Sequence, residues 1–139
     1  MKKLLLLFIL ISLPAFSSEL VDKRKENYQA NKDNMRLIYN AIKSNDLDQV
    51  IKSADVIESF AATMPSFFPE GSESRGASDN IWLDFSGFEK SAKANEIAAR
   101  ALKVAAQENN IEELNNLFDV LSNTCKSCHR SYKNWPKWS

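Results

Sequence analysis

The sequence predicts an all-α protein built as an antiparallel up-and-down four-helix bundle. Apolar residues recur at spacings of three, four and seven along four long segments, which is the period of an amphipathic helix. Only three glycines and four prolines interrupt the 139 residues, and no alternation of apolar and polar residues marks a strand. Two of the three connections are short, which favours antiparallel neighbours. With 44% hydrophobic residues, the chain can bury the core of one domain.

The first 17 residues have the pattern of a secretory signal peptide. Lys2 and Lys3 precede an almost unbroken apolar run over residues 4–13, and small residues ending at Ser17 form a cleavage site. The run is shorter than the roughly 20 residues that a membrane span needs, so no membrane anchor is expected after removal of the signal. We therefore predict a mature domain of residues 18–139 that is exported to the periplasm.

The mature chain is close to neutral and slightly acidic. Removal of the two lysines of the signal leaves 16 basic against 18 acidic residues. No basic patch or stripe stands out along the sequence, so nucleic acid is not an expected partner. Export also places the two cysteines in an oxidising setting, where thiols tend to be paired or covalently occupied. Both cysteines therefore need a chemical explanation.

The first two helices are separated by a short polar break. The first is predicted from about Glu19 to Lys43. Asp46 and Gln49 have the spacing of a capping box at the start of the second helix, and Pro65 ends it. The inward-facing positions of this pair are Tyr28, Met35, Ile38, Ile42, Leu47, Val50, Ile51, Ala54, Ile57, Ala61 and Met64.

Residues 67–79 form the one long connection and contain two of the three glycines. Asp79 or Asn80 is placed to cap the third helix, and Asn110 with Glu113 offers a capping box for the fourth. The inward-facing positions are Ile81, Phe85, Phe88, Ala92, Ala99, Leu102 and Ala106 in the third helix, and Ile111, Leu114, Phe118, Leu121, Cys125, Cys128 and Tyr132 in the fourth. Both cysteines are therefore expected on the buried stripe of the fourth helix.

Both cysteines and the only histidine lie within five residues, at Cys125, Cys128 and His129. Spacings of three and four place these side chains on one side of a helix. Each thiol can add to one vinyl group of a haem to form a thioether, and the imidazole can then bind the iron. The pattern Cys-x-x-Cys-His is typical of c-type haem attachment. We therefore predict one covalent haem c per chain, with His129 as the iron ligand.

Other interpretations of these residues are weaker. A structural zinc site needs four ligands, and carboxylates would have to complete it because the chain has no further Cys or His. A redox dithiol expects a βαβ context, and a disulfide across three helical residues closes a strained loop. A haem-free helical protein that acts in protein interaction stays open as an alternative. The sixth iron position is also open, because Met35, Met64, Tyr28, a lysine or no ligand all fit the spacing.

Several shorter motifs accompany the haem-attachment pattern. They are Val21–Lys25 followed by Tyr28, Phe68–Gly71, Ile81–Trp82 followed by Phe85 and Phe88, and Cys125–His129 followed by Tyr132. In these motifs, from Val21 to Tyr132, the chain resembles the cytochrome c-prime family of c-type cytochromes. The resemblance implies a four-helix bundle whose haem lies near the C-terminus.

The resemblance also implies roles for individual residues. Arg24 falls where the family has an arginine near a haem propionate, and Tyr28 falls at the distal position, where a bulky side chain covers the iron. Low-spin relatives carry a methionine there, so the tyrosine favours a five-coordinate, high-spin iron. A low-spin, six-coordinate electron carrier with a methionine ligand is the alternative. Lys133 stands where many members have an arginine near the proximal face.

At the level of function, the resemblance implies transfer of single electrons and binding of small gaseous ligands, nitric oxide and carbon monoxide. Turnover of a defined substrate is not implied, so an enzyme is not expected. Family members often pair, which implies a homodimer, whereas the redox partner is not specified by any motif. The tail from Asn134 onward is not placed by the resemblance.

Overall fold

The computed structural model describes residues 14–135, with side chains from Ser18 onward, so the side chains of the predicted signal peptide lie outside the described residues. Within this part of the chain, strand structure is limited to one isolated bridge between Ala77 and Lys133. The all-α prediction is confirmed. The elements in chain order are α1 (Pro14–Ser44), α2 (Leu47–Thr63), a 3-10 turn (Met64–Phe67), α3 (Asn80–Leu83), α4 (Phe85–Gln107), a second 3-10 turn (Ile111–Glu113) and α5 (Leu114–Tyr132).

The four long helices, α1, α2, α4 and α5, form the predicted antiparallel bundle. Helix α2 packs against α1 and α4, and α5 packs against α4 and α1, which closes the ring of four. Tyr28 in the first half of α1 meets Phe60 in the second half of α2, so these neighbours run in opposite directions. Phe88 at the start of α4 meets Tyr132 at the end of α5, which makes the second pair antiparallel as well.

The turn between α1 and α2 confirms half of the predicted capping box. The Asp46 carboxylate accepts a hydrogen bond from the Gln49 amide at 3.0 Å, which satisfies one free N–H at the start of α2. The side chain of Gln49 does not reach back to close the box. It donates instead to the Ser53 hydroxyl at 2.7 Å, because Ser53 lies buried one turn further along the helix.

The predicted third helix starts where expected, at Asn80 after Asp79, but it is broken at Asp84, and its long part, α4, begins at Phe85. Helix α3 is a single turn, and the Asp79 side chain caps nothing. Asp84 leaves the helical region at φ −131° and ψ 58°, and its carboxylate accepts a hydrogen bond from the Gly87 amide at 3.1 Å. A short acidic side chain that binds the backbone locally competes with helix continuation. The apolar period runs across the break, which is why the sequence pattern conceals it.

The predicted capping box at Asn110 and Glu113 is also wrong. Asn109 takes a left-handed φ of 57°, and residues 111–113 form a 3-10 turn with no side-chain cap. The Glu113 carboxylate accepts a hydrogen bond from the Asn116 side chain at 3.2 Å instead of reaching back to Asn110. Helix α5 therefore begins at Leu114, three residues later than the predicted face.

The core divides into two clusters at opposite ends of the bundle. The aliphatic cluster contains Ile38, Val50, Ile57, Leu102 and Leu121 among its most buried members. The aromatic cluster combines buried Phe60, Met64, Phe68, Ile81 and Phe88 with partly buried Tyr28, Phe67, Trp82, Phe85, Cys128 and Tyr132. None of the helices among the described residues has the length and apolar character needed to cross a membrane. The aromatic cluster is the end of the bundle that holds the candidate site.

Replacement of Asp84 by Ala tests the unexpected break. The change removes the N-cap of α4 and the acceptor of the Tyr132 hydroxyl, so we expect the free energy of unfolding to fall by about 1–2 kcal/mol. Urea denaturation followed by circular dichroism measures the change. Asp79→Ala is the matched control and is expected to change little, because this carboxylate makes no cap bond. Equal losses in the two variants would contradict the assignment of the cap to Asp84.

Candidate functional site

The last two turns of α5 carry the predicted Cys-x-x-Cys-His group. Cys125 and Cys128 are free thiols, and both are partly buried, as is His129. Cys128 packs against the aromatic cluster, whereas Cys125 lies near the buried Asn95 of α4, whose amide is 3.5 Å from the Cys125 sulfur. The cysteines therefore lie at the edge of the buried stripe, with their sulfurs toward the interior of the bundle.

Both thiols are protonated at neutral pH. Burial raises the pKa of Cys125, and it raises the pKa of Cys128 to about 11, with a further contribution from the neighbouring Cys125. Thiolates are the form that binds zinc and takes part in redox exchange. Across residues 14–135, no three His, Cys, Asp or Glu side chains converge as metal ligands would. The thiol environment therefore gives no support to the zinc and redox-dithiol alternatives.

His129 is poised as a neutral imidazole. Burial lowers its pKa, and the nearby positive charge of Lys133 lowers it further. The neutral ring is the form that binds a metal ion. Trp135 meets the imidazole edge to face, with ring centroids 6.4 Å apart and an interplanar angle of 85°. The histidine is thus bordered by the bundle on one side and by Trp135 on the other.

Tyr28 comes from α1 and joins the same cluster as Cys128. Its ring stands edge-on to Phe60, with centroids 5.1 Å apart and an interplanar angle of 89°. Burial is the main cause that raises the pKa of its phenol far above the usual value, and the charge interaction with Cys128 acts in the same direction. The phenol therefore keeps its proton at physiological pH.

Arg24 lies one turn before Tyr28 and is only 3% exposed. Its guanidinium stacks on the Phe68 ring at 4.3 Å, and its Nη2 donates a hydrogen bond to the Ser72 carbonyl at 2.5 Å. Nη1 is buried and has no hydrogen-bond partner among the described residues. Burial lowers the pKa of Arg24, although arginine stays charged at any physiological pH. A buried cationic donor with no acceptor is a place for an anionic group.

The C-terminal segment contributes Trp135, which the sequence did not assign to the site. Backbone bonds from Ser78 to Tyr132 and from Asn134 to Gly76, each 3.1 Å long, hold this segment along residues 76–78. The Asn134 side chain adds a bond of 2.8 Å to the Ala77 carbonyl. The sequence carries no signal for this placement, because the contacts join residues more than 50 positions apart. Residues 136–139, with the second tryptophan of the tail, lie outside the described part.

The structure thus brings four of the predicted site residues together, with Arg24, Cys125 and Cys128 near Tyr28, and His129 follows Cys128 on α5 and meets Trp135. The sequence model of the family described as Cytochrome C' matches residues 19–133. The chain belongs to the cytochrome c' family. The resemblance inferred from the motifs is confirmed, and the cofactor of the family is covalently bound haem c.

Individual cytochromes c' support the same assignment. The chain is 32% identical over 122 residues to cytochrome c' of Rhodospirillum rubrum, with 81% of this chain and 80% of the relative covered. It is 27% identical over 119 residues to cytochrome c' of Pararhodospirillum photometricum, with 81% and 94% covered.

Solved structures share the fold. The crystal structure of cytochrome c' from Thermochromatium tepidum superposes with a TM-score of 0.78 at 23% identity, and covers 86% of this chain and 97% of that one. A nitric oxide complex of a mutant cytochrome c prime from Alcaligenes xylosoxidans gives a TM-score of 0.78 at 21% identity, with the same coverage. The four-helix bundle of this cytochrome c' is therefore that of the family.

The side chains of this cytochrome c' fit haem c. Two free thiols three residues apart match two thioether bonds, and a neutral imidazole follows them directly. The Nη1 of Arg24 is a buried donor without a partner among the described residues, and a haem propionate would accept a hydrogen bond from it. Aromatic side chains make up the surrounding wall, which suits an apolar macrocycle.

Replacement of Arg24 by Ala tests its structural part in this site. The variant loses the stack on Phe68 and leaves the buried Ser72 carbonyl without a donor, so we expect a loss of roughly 2–3 kcal/mol in the free energy of unfolding. Urea denaturation of the haem-loaded protein measures it. Lys25→Ala is the matched control, because that exposed neighbour pairs only with Asp22 at the surface. A loss in Arg24→Ala no larger than in Lys25→Ala would show that the buried contacts contribute nothing.

Proposed function

We propose that this protein is an exported, monohaem, c-type cytochrome in which Cys125 and Cys128 hold the haem and His129 binds its iron. The iron is five-coordinate and high-spin, and the protein transfers single electrons and binds diatomic gases. The observation that carries this proposal is Tyr28, a partly buried and protonated tyrosine in the same cluster as Cys128. A covered site without a sixth protein ligand admits only small molecules.

The available side chains support an open sixth position. His129 is the only histidine, so a second imidazole ligand does not exist within the chain. The raised pKa of Tyr28 opposes its ionisation, and a phenolate is the form in which tyrosine binds haem iron. Met35 packs against the aliphatic cluster, away from the cluster that contains Cys128.

One observation favours a second candidate function. Met64 is 5% exposed and lies in the aromatic cluster together with Tyr28 and Cys128. A thioether from this position would make the iron six-coordinate and low-spin, and the protein would then be an electron carrier without gas binding. Methionine more often fills gaps in a core, which is the role assigned to Met64 here.

Gas binding is supported by the chemistry of the pocket and by one relative. The cytochrome c prime from Alcaligenes xylosoxidans has been solved as a nitric oxide complex. In this chain the aromatic cluster around Cys128 makes a mainly apolar surface, whose hydroxyls are those of Tyr28 and Tyr132. Such a surface favours small, weakly polar molecules such as nitric oxide and carbon monoxide over larger or charged ones. No turnover of a substrate is part of the proposal.

Location and assembly complete the proposal. Residues 1–17 act as the signal peptide, the mature domain is residues 18–139, and the protein works in the periplasm, where haem c is attached. Two copies pair as a homodimer, for which the exposed apolar side chains of Leu37 on α1 and Val56 on α2 supply contact area. Arg24 binds a haem propionate through its free Nη1.

Covalent haem attachment is tested by intact-mass analysis. Protein produced with the c-type maturation machinery is expected to carry the mass of one haem after denaturation, because two thioether bonds survive unfolding. Cys125→Ala with Cys128→Ala is expected to lose that mass, whereas Ser127→Ala, inside the same motif, retains it. A native product with the mass of the bare polypeptide would overturn the proposed function.

Carbon monoxide binding by the reduced protein tests the role of Tyr28. If the tyrosine covers an open iron, Tyr28→Leu is expected to raise the association rate on the order of tenfold, equivalent to a barrier lower by ~1.4 kcal/mol. Tyr28→Phe keeps the ring and is expected to stay close to the native rate. Flash photolysis measures all three proteins. Identical rates would reduce Tyr28 to a packing residue.

Optical spectra of the reduced protein separate the two candidate functions. Met64→Leu is expected to leave the reduced spectrum high-spin and unchanged, and Met35→Leu serves as the control from the other cluster. A native low-spin spectrum that becomes high-spin only in Met64→Leu would favour the six-coordinate electron carrier.

A further inference from the structure

Three exposed basic side chains lie at and just beyond the end of α5, the helix that carries the proposed haem-attachment residues. Lys126 and Arg130 are four residues apart on one side of α5, and Lys133, in extended conformation, directly follows the helix. We call these three residues the basic face. His129 directly follows Cys128 of the buried stripe and directly precedes Arg130 of the basic face, so it lies between the two.

The basic face is not neutralised by neighbours within residues 14–135. None of its three members forms an ion pair there. The nearest acidic residue before it on the same face is Asp119, seven residues or about 10 Å from Lys126. In contrast, six basic residues elsewhere lie within 4 Å of a carboxylate: Lys23, Lys25, Arg36, Lys93, Arg100 and Lys103. The basic face therefore presents three cations without ion pairs within eight residues of the chain.

An exposed tryptophan borders the basic face beside the proposed iron ligand. Trp135 is 60% exposed, and the Lys133 ammonium lies 4.2 Å from the centre of its ring. The same ring also meets His129. The backbone bonds of Asn134 and Tyr132 to residues 76–78 hold the segment in this position. The result is an apolar group beside basic ones, which is the composition of a transient protein interface.

We propose that the basic face and Trp135 form the docking surface for an acidic electron-transfer protein. This inference rests on the proposed function, because it assumes that His129 binds a redox-active iron. Electrostatic steering by clustered charges raises the rate of encounter, and a small interface allows rapid release. The partner is one that presents carboxylates around an apolar patch. Docking at Trp135 brings it next to the imidazole that contacts the iron.

The step at this surface is the transfer of one electron. When the reduced cytochrome meets an oxidised blue-copper protein, the haem iron goes from ferrous to ferric and the copper goes from cupric to cuprous. No proton, bond or leaving group is involved. Plastocyanin, a small acidic copper protein, is a suitable probe for this reaction. Tris(phenanthroline)cobalt(III), a one-electron oxidant of positive charge, is the control oxidant.

The decisive comparison uses two double variants of equal charge change. Lys126→Glu with Arg130→Glu reverses the basic face, and Lys43→Glu with Lys52→Glu reverses two lysines at the opposite end of the bundle, near the turn from α1 to α2. Stopped-flow oxidation of the haem-loaded, reduced proteins is measured at low and high ionic strength. Haem content and reduction potential are determined for each variant, so that differences in driving force are removed from the rates.

We expect the first variant to react roughly tenfold more slowly with plastocyanin at low ionic strength, and this loss to disappear in high salt. Its rate with the cobalt complex is expected not to fall. The second variant is expected to stay within about twofold of the native rate, because its charges lie far from the docking surface. Trp135→Ala is expected to slow the plastocyanin reaction at every ionic strength, because its contribution is contact and not charge.

Three outcomes would overturn the docking surface. Equal slowing in both double variants would show that only net charge matters, and native rates in the first variant would show that electrons leave elsewhere. Native protein that sediments with phosphatidylglycerol vesicles, when the first variant does not, would assign the face to an anionic membrane. Protein without haem gives no redox signal with either oxidant, which identifies failure of the proposed function separately from failure of the docking surface.

Discussion

The hydrogen bond from the Tyr132 hydroxyl to the Asp84 carboxylate, 2.9 Å long, joins the end of α5 to the start of α4, and the geometry of the site depends on it. The same carboxylate caps α4 through the Gly87 amide. A Cβ at Gly87 would collide with the Asp84 carboxylate and the Tyr132 hydroxyl, so the glycine leaves room for both groups. One acidic residue thus starts one helix and fixes the last turn of another.

Fixing that last turn has consequences on both sides of α5. On the inner side, Cys128 and Tyr132 face the aromatic cluster, where Tyr28 from α1 and Phe88 from α4 meet them. On the outer side, the chain after Tyr132 follows residues 76–78 and brings Trp135 against His129. The histidine therefore meets a ring from beyond the end of α5, although the two cysteines beside it come from its own helix.

The two ends of the bundle have different cores because they perform different tasks. Small side chains such as Ala54, Ala98 and Ala99 let α2 and α4 approach closely in the aliphatic half. At the surface of that contact, Glu58 lies between Arg100 and Lys103, and the hydrogen bond from Lys103 is the main cause that lowers its pKa. In the aromatic half, large rings separate the helices and provide the walls of the site.

The sequence by itself determined the helical fold, the boundaries of α2 and the choice of the residues proposed to attach the haem. These depend on local spacing, since a helix is fixed by the period of its apolar residues and Cys125, Cys128 and His129 share one helix. The tertiary structure decided the break at Asp84, the free Nη1 of Arg24 and the contact between Trp135 and His129. Each of these results from groups distant in sequence that compete for one hydrogen bond or one surface, and a pattern along the chain does not record which of them meet.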